Sequence, residues 1–312
     1  MTKTRSDTVH RWAIATSVAT FLLIIAGALV TSRDAGLAVP DWPLAYGELN
    51  PPRWYLIENI RTEHGHRIIA AWVATMTAVL ALLVVRHEER RPVRWLATAA
   101  VVLVLAQALL GGLRVLALSL DLAMIHGWLA QMFFCVIVAL ATVTARGWQT
   151  RTVSLPPSTA WLSVAVAATV VVQLVLGIII RHFGADIRPL LASPLFYFHI
   201  ASGLALLGMT VKLKQRIRWQ ETEGGDWPLA KAASLMPPLL LVQIALGFAS
   251  FAVTEIMHYD RQATMLESWL PTLHVATGAT VLACSVVVLL FAWPGQAEAG
   301  LLRRHVSESG LQ

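Results

Sequence analysis

Eight long apolar stretches, separated by short polar segments, dominate the pattern of the chain. A helix needs about 20 mostly apolar residues to cross the hydrocarbon core of a bilayer. Each stretch is close to that length, so the pattern predicts an all-α integral membrane protein with eight transmembrane helices. The predicted spans are 12–31, 66–85, 95–115, 123–145, 159–180, 196–213, 230–253 and 269–293.

Composition agrees with this pattern. Of the 312 residues, 57% are hydrophobic and 13% are charged, whereas a soluble domain has roughly 45–50% apolar and about 25% charged residues. A soluble globular protein is therefore excluded. The connection from 32 to 62 is the longest outer one, and loops of that length usually carry function. Because it contains Trp42 and Trp54, we expect an ordered cover.

The positive charges indicate how the chain is oriented. The 24 Lys and Arg residues lie mainly between the apolar stretches, where they act as topology signals and give no reason to expect a nucleic-acid partner. With the N-terminus inside, about two thirds of them fall on the cytoplasmic side, as the positive-inside rule requires. We therefore expect a multi-pass protein of the cytoplasmic membrane with both termini cytoplasmic and an uncleaved first helix.

A short motif, Gln-x-x-x-Gly, recurs near the outer ends of the odd-numbered helices, at 107–111, 173–177 and 243–247, and Gly27 takes the same place in the first helix. After each motif the chain re-enters the membrane with a histidine. These histidines are His66, His126, His199 and His274. The repeat predicts two pseudo-symmetric four-helix bundles, residues 1–150 and 151–312.

Four histidines at one membrane depth favour metal ligation, because polar groups in a bilayer are costly and tend to mark function. Zinc and copper sites usually gather three or four ligands around one ion. Two facing histidines instead suit the axial positions of an iron porphyrin. We therefore predict two haems, one between His66 and His126 and one between His199 and His274. The other five histidines, at 10, 87, 182, 258 and 305, are expected to be solvated.

One helical turn after each of these four histidines the residue is small, which would leave room for a flat macrocycle. Small residues are also common where membrane helices touch, so ordinary packing remains an alternative. The four small residues are Ala70, Ala130, Gly203 and Gly278.

Only the first half carries a carboxylate beside its histidine. Glu63 lies three residues before His66, on the same helical face, where it can reach the edge of the macrocycle. Phe196 and Pro271 hold that spacing in the second half. A helix-capping role near the N-terminus of the second helix is the alternative for Glu63. His64 is expected in the loop or at its rim.

Three features of the sequence resemble the haem A synthase family. They are the Glu-x-x-His-Arg motif at 63–67, the outer-loop residues 36–37 and 40–43, and the single histidines that open the fourth, sixth and eighth helices. The resemblance covers nearly the whole chain. It implies an eight-helix enzyme that oxidises a ring methyl of haem O to the formyl group of haem A, for use in haem-copper respiratory oxidases.

The resemblance also implies roles for individual residues. His66 and His126 would hold the substrate haem O and the product haem A, with Glu63 as the catalytic acid and Arg67 beside the cofactor. His199 and His274 would bind a haem b. The expected partners are a haem O synthase, the assembly of a haem-copper oxidase, membrane lipid and an electron acceptor that the sequence does not identify.

One departure from the family concerns cysteine. Many bacterial members carry a cysteine pair in the first outer loop, where this chain has Val39 and Ala45. A redox role for that pair cannot apply here, and Pro40, Trp42 and Pro43 are expected to hold the loop instead.

Two other functions remain open. The four histidines alone fit a di-haem b electron-transfer cytochrome equally well, although Glu63 argues against it. A haem carrier or chaperone would need an exchangeable site rather than two closed ones.

Overall fold

The computed structural model describes residues 3–146, 148, 155–183, 191, 193–220, 227–256 and 264–292. Within these ranges the chain folds into eight long α-helices and no β-strand. They are α1 Lys3–Ser32, α2 Glu58–His87, α3 Arg91–Leu116, α4 Leu120–Val143, α5 Pro157–Phe183, α6 Pro194–Gln220, α7 Trp227–Phe251 and α8 Met265–Ala292.

All eight helices are long and apolar enough to cross a membrane, which confirms the predicted all-α membrane fold. Large apolar side chains remain exposed along them: Trp72, Leu105 and Trp161 are 66%, 65% and 70% exposed. In a membrane protein such side chains face lipid, and the helices satisfy their backbone polar groups internally.

The helices extend beyond the apolar stretches at both ends of the bundle because polar residues continue them: α1 begins at Lys3 and α6 ends at Gln220, both at the inner end. Helix α2 begins at Glu58, about two turns before His66. Glu63 and His64 are consequently helical and buried. The expectation that His64 lies in the loop is wrong, although its ring contacts Asn50 and Trp54 at the edge of the loop.

Consecutive helices form four antiparallel hairpins, and the four helices of each half close into a ring. In the first half, α1 packs on α2, α2 on α3, α3 on α4 and α4 on α1; α5 to α8 repeat this order. The two rings meet through α1, α4, α5 and α8. All four hairpin tips, and hence all four repeat histidines, lie at one end of the molecule.

The largest fully buried apolar side chains lie away from that end. Leu80 is almost four turns past His66, Ile137 is three turns past His126, and Leu213 is almost four turns past His199. The tightly packed core therefore occupies the inner end of the bundles, whereas the histidine level contains few large buried apolar side chains.

The connection between α1 and α2 is ordered, as its aromatic residues predict. It contains a short 3₁₀ helix, Trp54–Leu56, and buries the side chains of Ala35, Val39 and Ala45. This segment, residues 33–57, is called the outer loop below.

Candidate functional site

Each repeat histidine packs against the repeat glycine of the preceding helix. A Cβ atom placed on the glycine would lie 3.0 to 3.2 Å from the imidazole Cε1 in three hairpins, which is close enough to shift the ring, and at an ordinary contact distance of 3.6 Å in the α5–α6 hairpin. The four contacts are Gly27–His66, Gly111–His126, Gly177–His199 and Gly247–His274.

The repeat glutamine fixes the same hairpins by hydrogen bonding to the histidine residue. The Gln107 and Gln173 amides donate to the backbone carbonyls of His126 and His199, at 3.0 and 2.8 Å. The Gln243 amide lies 3.2 Å from Nε2 of His274. The glycine of the motif therefore leaves space for the imidazole, and the glutamine makes a polar contact that fixes the position of the histidine along the helix axis.

The histidines approach one another in pairs within each half. His66 lies in electrostatic range of His126, and His274 in range of His199. Within the described parts of the chain, no three His, Cys, Asp or Glu side chains gather into a group able to hold a metal ion. The donors present are thus two imidazoles per half, the set that a six-coordinate haem iron takes from a protein.

The imidazole nitrogens fit such a ligand. The Nδ1 atoms of His66, His126 and His199 are buried without a hydrogen-bond partner, which is costly in a bilayer. In His274, Nδ1 contacts the Gln243 carbonyl at 2.9 Å. Because a carbonyl only accepts, Nδ1 donates, and the lone pair of the neutral ring is on Nε2, where it accepts from the Gln243 amide in this structure and would bind a metal in its place.

The small residues one turn after the histidines have a packing partner in the second half. A Cβ on Gly203 would lie 3.5 Å from the Gln173 amide nitrogen, and one on Gly278 would lie 3.1 Å from that of Gln243. The absence of a side chain at these two positions therefore leaves room for the repeat glutamines. Contact of Ala70, Ala130, Gly203 and Gly278 with a macrocycle stays a prediction.

Glu63 is buried beneath the outer loop, with 1% of its surface exposed. One carboxylate oxygen accepts the Val39 backbone N–H at 2.8 Å, and the other accepts Arg67 at 2.7 Å. The N-cap of α2 is Ile57, and it receives no side-chain cap. Glu63 is therefore not a helix cap, and its carboxylate instead ties α2 to the loop.

Arg67 joins the same loop from the next turn of α2. Its terminal nitrogens donate to the carbonyls of Val39, Asp41 and Leu44, at 3.0, 2.7 and 3.1 Å. The guanidinium thus holds both ends of the 39–44 segment, a role that the sequence did not indicate. Contact between Arg67 and a cofactor remains a prediction.

A second anchor of the outer loop lies on α3. The indole ring of Trp42 covers Gly112, where a Cβ would overlap the ring, and Arg114 donates to the Gly36 carbonyl at 3.3 Å. Trp42 thus helps to hold the loop, as expected, but the polar contacts made by Arg67 and Arg114 carry much of the attachment.

Asp41 orders the tip of the loop. Its carboxylate accepts the backbone N–H groups of Tyr46 and Gly47, each at 2.7 Å. The bond from Gly47, helped by the Tyr46 bond and the charge of Arg67, holds the pKa of Asp41 below its ordinary value.

Three of the remaining histidines have protein contacts, contrary to the expectation of solvated side chains. His10 Nδ1 lies 3.0 Å from the Ala141 carbonyl, His182 Nδ1 lies 3.0 Å from that of Ile178, and His87 has a buried Nδ1. His182 belongs to α5 and not to a loop, because that helix runs on to Phe183. His258 and His305 lie outside the described residues.

Two arginines near the histidines were counted in the sequence only as outer charges. Arg114 lies in electrostatic range of His66, His126 and Glu63, and Arg181 lies in range of His274. The signal was available, because each arginine follows a repeat glycine by about one turn and belongs to an otherwise apolar helix.

These features define a class of protein. It is a multi-pass membrane protein in which two four-helix rings each present a facing pair of histidines near one membrane surface. In the first ring, a buried carboxylate, Glu63, lies one turn before a repeat histidine and contacts an ordered covering loop.

Comparison with known proteins gives the particular family that the first half resembles. Residues 3–138 match the COX15-CtaA family model, described as cytochrome oxidase assembly protein. The haem A synthase of Geobacillus kaustophilus is 35% identical over 135 residues, which is 42% of this chain and 41% of that protein. The enzyme of Caulobacter vibrioides is 32% identical over 152 residues, 45% of this chain and 42% of that protein.

A third relative extends furthest among these. The haem A synthase of Lysinibacillus sphaericus is 27% identical over 179 residues, 55% of this chain and 58% of its own length. The predicted resemblance to haem A synthases is therefore confirmed over the half that contains Glu63, His66 and His126. The match spans about half the length of these relatives.

Proposed function

We propose that this chain is a haem A synthase, which oxidises a ring methyl of haem O to the formyl group of haem A. In the half that matches haem A synthases, Glu63 is buried beneath the ordered outer loop, about one turn before His66 on α2, and His66 lies in electrostatic range of His126. This observation carries the proposal. His66 and His126 hold the substrate, and His199 and His274 hold a haem b, which supplies one-electron chemistry when bound.

Glu63 acts on the methyl group as it is oxidised. Arg67 pairs with one of its carboxylate oxygens at 2.7 Å, and as a carboxylate Glu63 can stabilise positive charge that develops on the substrate ring. The carboxylate has about four acceptor positions, of which the contacts from Val39 and Arg67 use two. A water molecule can therefore also bind there. Once the external electron acceptor has taken two electrons from the substrate and one C–H bond of the methyl group has released its proton, this water adds to the carbon and gives its own proton to the carboxylate.

The outer loop excludes bulk water from this position. Glu63, Arg67 and Trp42 fasten it to α2 and α3, so the carboxylate works in a site where electrostatic interactions are stronger than in water. The second half has no counterpart to Glu63, which fits a haem there that exchanges electrons and undergoes no chemistry itself.

The substrate would come from a haem O synthase, and the product would serve the assembly of a haem-copper oxidase. The oxidase follows from the description of the matching family, and the haem O synthase from the proposed reaction, which needs haem O.

Pigment extraction tests the proposal. The full chain is expressed with a haem O synthase, and its haems are separated by chromatography. Haem A should appear, and His66→Ala and His126→Ala should abolish it, whereas His87→Ala, a matched change at the inner end of α2, should not. Unchanged haem b as the sole pigment would support an electron-transfer cytochrome, and haem that exchanges freely with added globin would support a carrier.

The haem b of the second half has its own test. His199→Ala and His274→Ala should each remove a low-spin bis-histidine spectrum while the chain still inserts into the membrane. Full retention of that spectrum in both variants would show that the ligands are assigned wrongly.

A further inference from the structure

Arg181 of α5 is a charged side chain at the junction of the two halves. Its guanidinium donates to Ser32 Oγ of α1 at 2.7 Å, and Ser32 Oγ lies 3.1 Å from Thr272 Oγ1 of α8. It belongs to the membrane-spanning part of α5, and no carboxylate pairs with it among the residues that the structure describes. A charged group in such a position usually marks a functional site.

The first half also has an arginine about one turn after its repeat glycine, at a neighbouring rather than an identical position, and this arginine has a counter-charge. Arg114 follows the repeat glycine Gly111 and lies in electrostatic range of Glu63. The second half has Phe196 and Pro271 where the first has that glutamate. Arg181 has a neutral hydroxyl, that of Ser32, as its hydrogen-bond partner.

The position of Arg181 indicates which anion it meets. It lies one helical turn after Gly177, whose missing side chain makes room for His199, and its charge is within range of His274. The guanidinium is therefore beside the second histidine pair, on the side nearer the membrane surface.

We propose that Arg181, with Ser32 and Thr272, binds a propionate carboxylate of the haem held by His199 and His274. Guanidinium groups recognise carboxylates through paired, charge-assisted hydrogen bonds, and the macrocycle brings the carboxylate that the protein lacks here. The inference rests on the proposed second haem site. It also makes that site a joint product of both halves, since Ser32 comes from α1.

Binding of haem and its dimethyl ester tests this assignment. The full chain with His66→Ala and His126→Ala, which leaves only the second site, is produced without haem and titrated in detergent with each compound. Arg181→Met should raise the Kd for haem b about tenfold to a hundredfold, and Arg181→Lys should raise it less. The ester, which has no carboxylate, should bind the parent and Arg181→Met alike.

Arg33→Met is the matched control. Arg33 lies at the same end of the bundle, but its charge is already paired with Glu58 at 2.9 Å, so its loss should leave the Kd for haem b unchanged. Size-exclusion profiles and inserted yield establish that each variant folds. If Arg181→Met does not fold, Arg181→Lys with the two compounds gives the same comparison.

Each alternative result has a separate meaning. Equal Kd values for haem b in the parent and Arg181→Met overturn the propionate contact and leave the haem site intact. If Arg181→Met weakens the binding of haem b and of the ester equally, Arg181 has a packing role. If anionic phospholipid competes with haem b, Arg181 binds a lipid phosphate. Either result also overturns the propionate contact. Failure of the parent to bind haem b in a His274-dependent manner overturns the proposed second haem site itself.

Discussion

Gly247 and His274 lie in direct contact across the α7–α8 hairpin: a Cβ atom on residue 247 would come within 3.0 Å of the imidazole Cε1. Gly27 and Gly111 approach their histidines almost as closely, at 3.1 and 3.2 Å, so these glycines set the position of the imidazole rings. A methyl group added here must push the ring toward the interior of the bundle.

Gly247→Ala should therefore lower the haem b content of the purified chain and shift its low-spin spectrum. Alanine favours a helix by about 1 kcal/mol relative to glycine, so the loss cannot come from a weaker α7. Gly208→Ala on α6, where a Cβ would meet nothing within 4 Å, is the control. Equal haem content in the two variants would contradict the role given to the glycine.

Glu63→Gln separates catalysis from a structural role. Glutamine keeps the size and can still accept the Val39 N–H, but it lacks the charge that pairs with Arg67. We expect haem to bind while conversion falls by on the order of 10²-fold or more, so that haem O or a partly oxidised haem accumulates.

Glu58→Gln is the control for this change. Glu58 lies between one and two turns before Glu63 on α2, is half exposed and pairs with Arg33. A near-normal yield of haem A from Glu63→Gln would refute the catalytic assignment and leave Glu63 as a residue that fastens the loop.

The attachment of the outer loop to α3 can be tested at Gly112. Gly112→Ala places a methyl group within the indole ring of Trp42, so the loop must move away from α3. We expect faster hydrogen exchange in residues 36–47 and less haem A, with unchanged haem b in the second half. Gly127→Ala on α4, which has open space around it, should change neither, and unaltered exchange in Gly112→Ala would mean that the loop is held elsewhere.

The lowered pKa of Asp41 predicts how the outer loop responds to acid. The N–H bond from Gly47, with those from Tyr46 and the charge of Arg67, lowers the pKa of Asp41 in the folded chain. The ionised Asp41 side chain therefore stabilises the outer loop fully above its unfolded pKa of about 3.9. This stabilisation is lost as the pH falls through the lower pKa that Asp41 has in the folded chain. Pepsin cleavage within 41–47 should rise in that acidic range, and Asp41→Asn should remove the pH dependence. Cleavage that varies equally in both proteins would argue against the assignment.

Membrane orientation is predicted from the charge distribution. Reporter fusions after Ala45 should report the outer side, and fusions after Glu89 the cytoplasm. A cytoplasmic signal at Ala45 would reverse the orientation and move all four histidines to the inner surface.

The eight-helix fold could be predicted from the sequence because each transmembrane helix is recognisable from its own apolar stretch. The hydrophobic length of a helix in a bilayer is a local property, and the Gln-x-x-x-Gly repeat placed His126, His199 and His274 at one level. Only the ends of the helices differed, since polar residues such as Glu58 and Glu63 continue a helix beyond the apolar stretch.

The contacts of the site were harder to predict because they join distant segments. The position of Glu63 on α2 follows from spacing, but its bond to the Val39 N–H depends on the path of a loop without regular structure. Arg67 spans the carbonyls of Val39 and Leu44 for the same reason. A sequence pattern carries no information on such backbone acceptors.

The contacts between the two rings are symmetric when the halves are exchanged. Helix α1 packs on α8 as α5 packs on α4, and α4 and α8, the two equivalent helices, pack on each other. This is the arrangement of an isologous dimer, in which one surface meets a second copy of itself. The two halves thus pack as two identical subunits would, although they belong to one chain. Because each half has its own sequence, Glu63 can be present in the first half without an equivalent in the second.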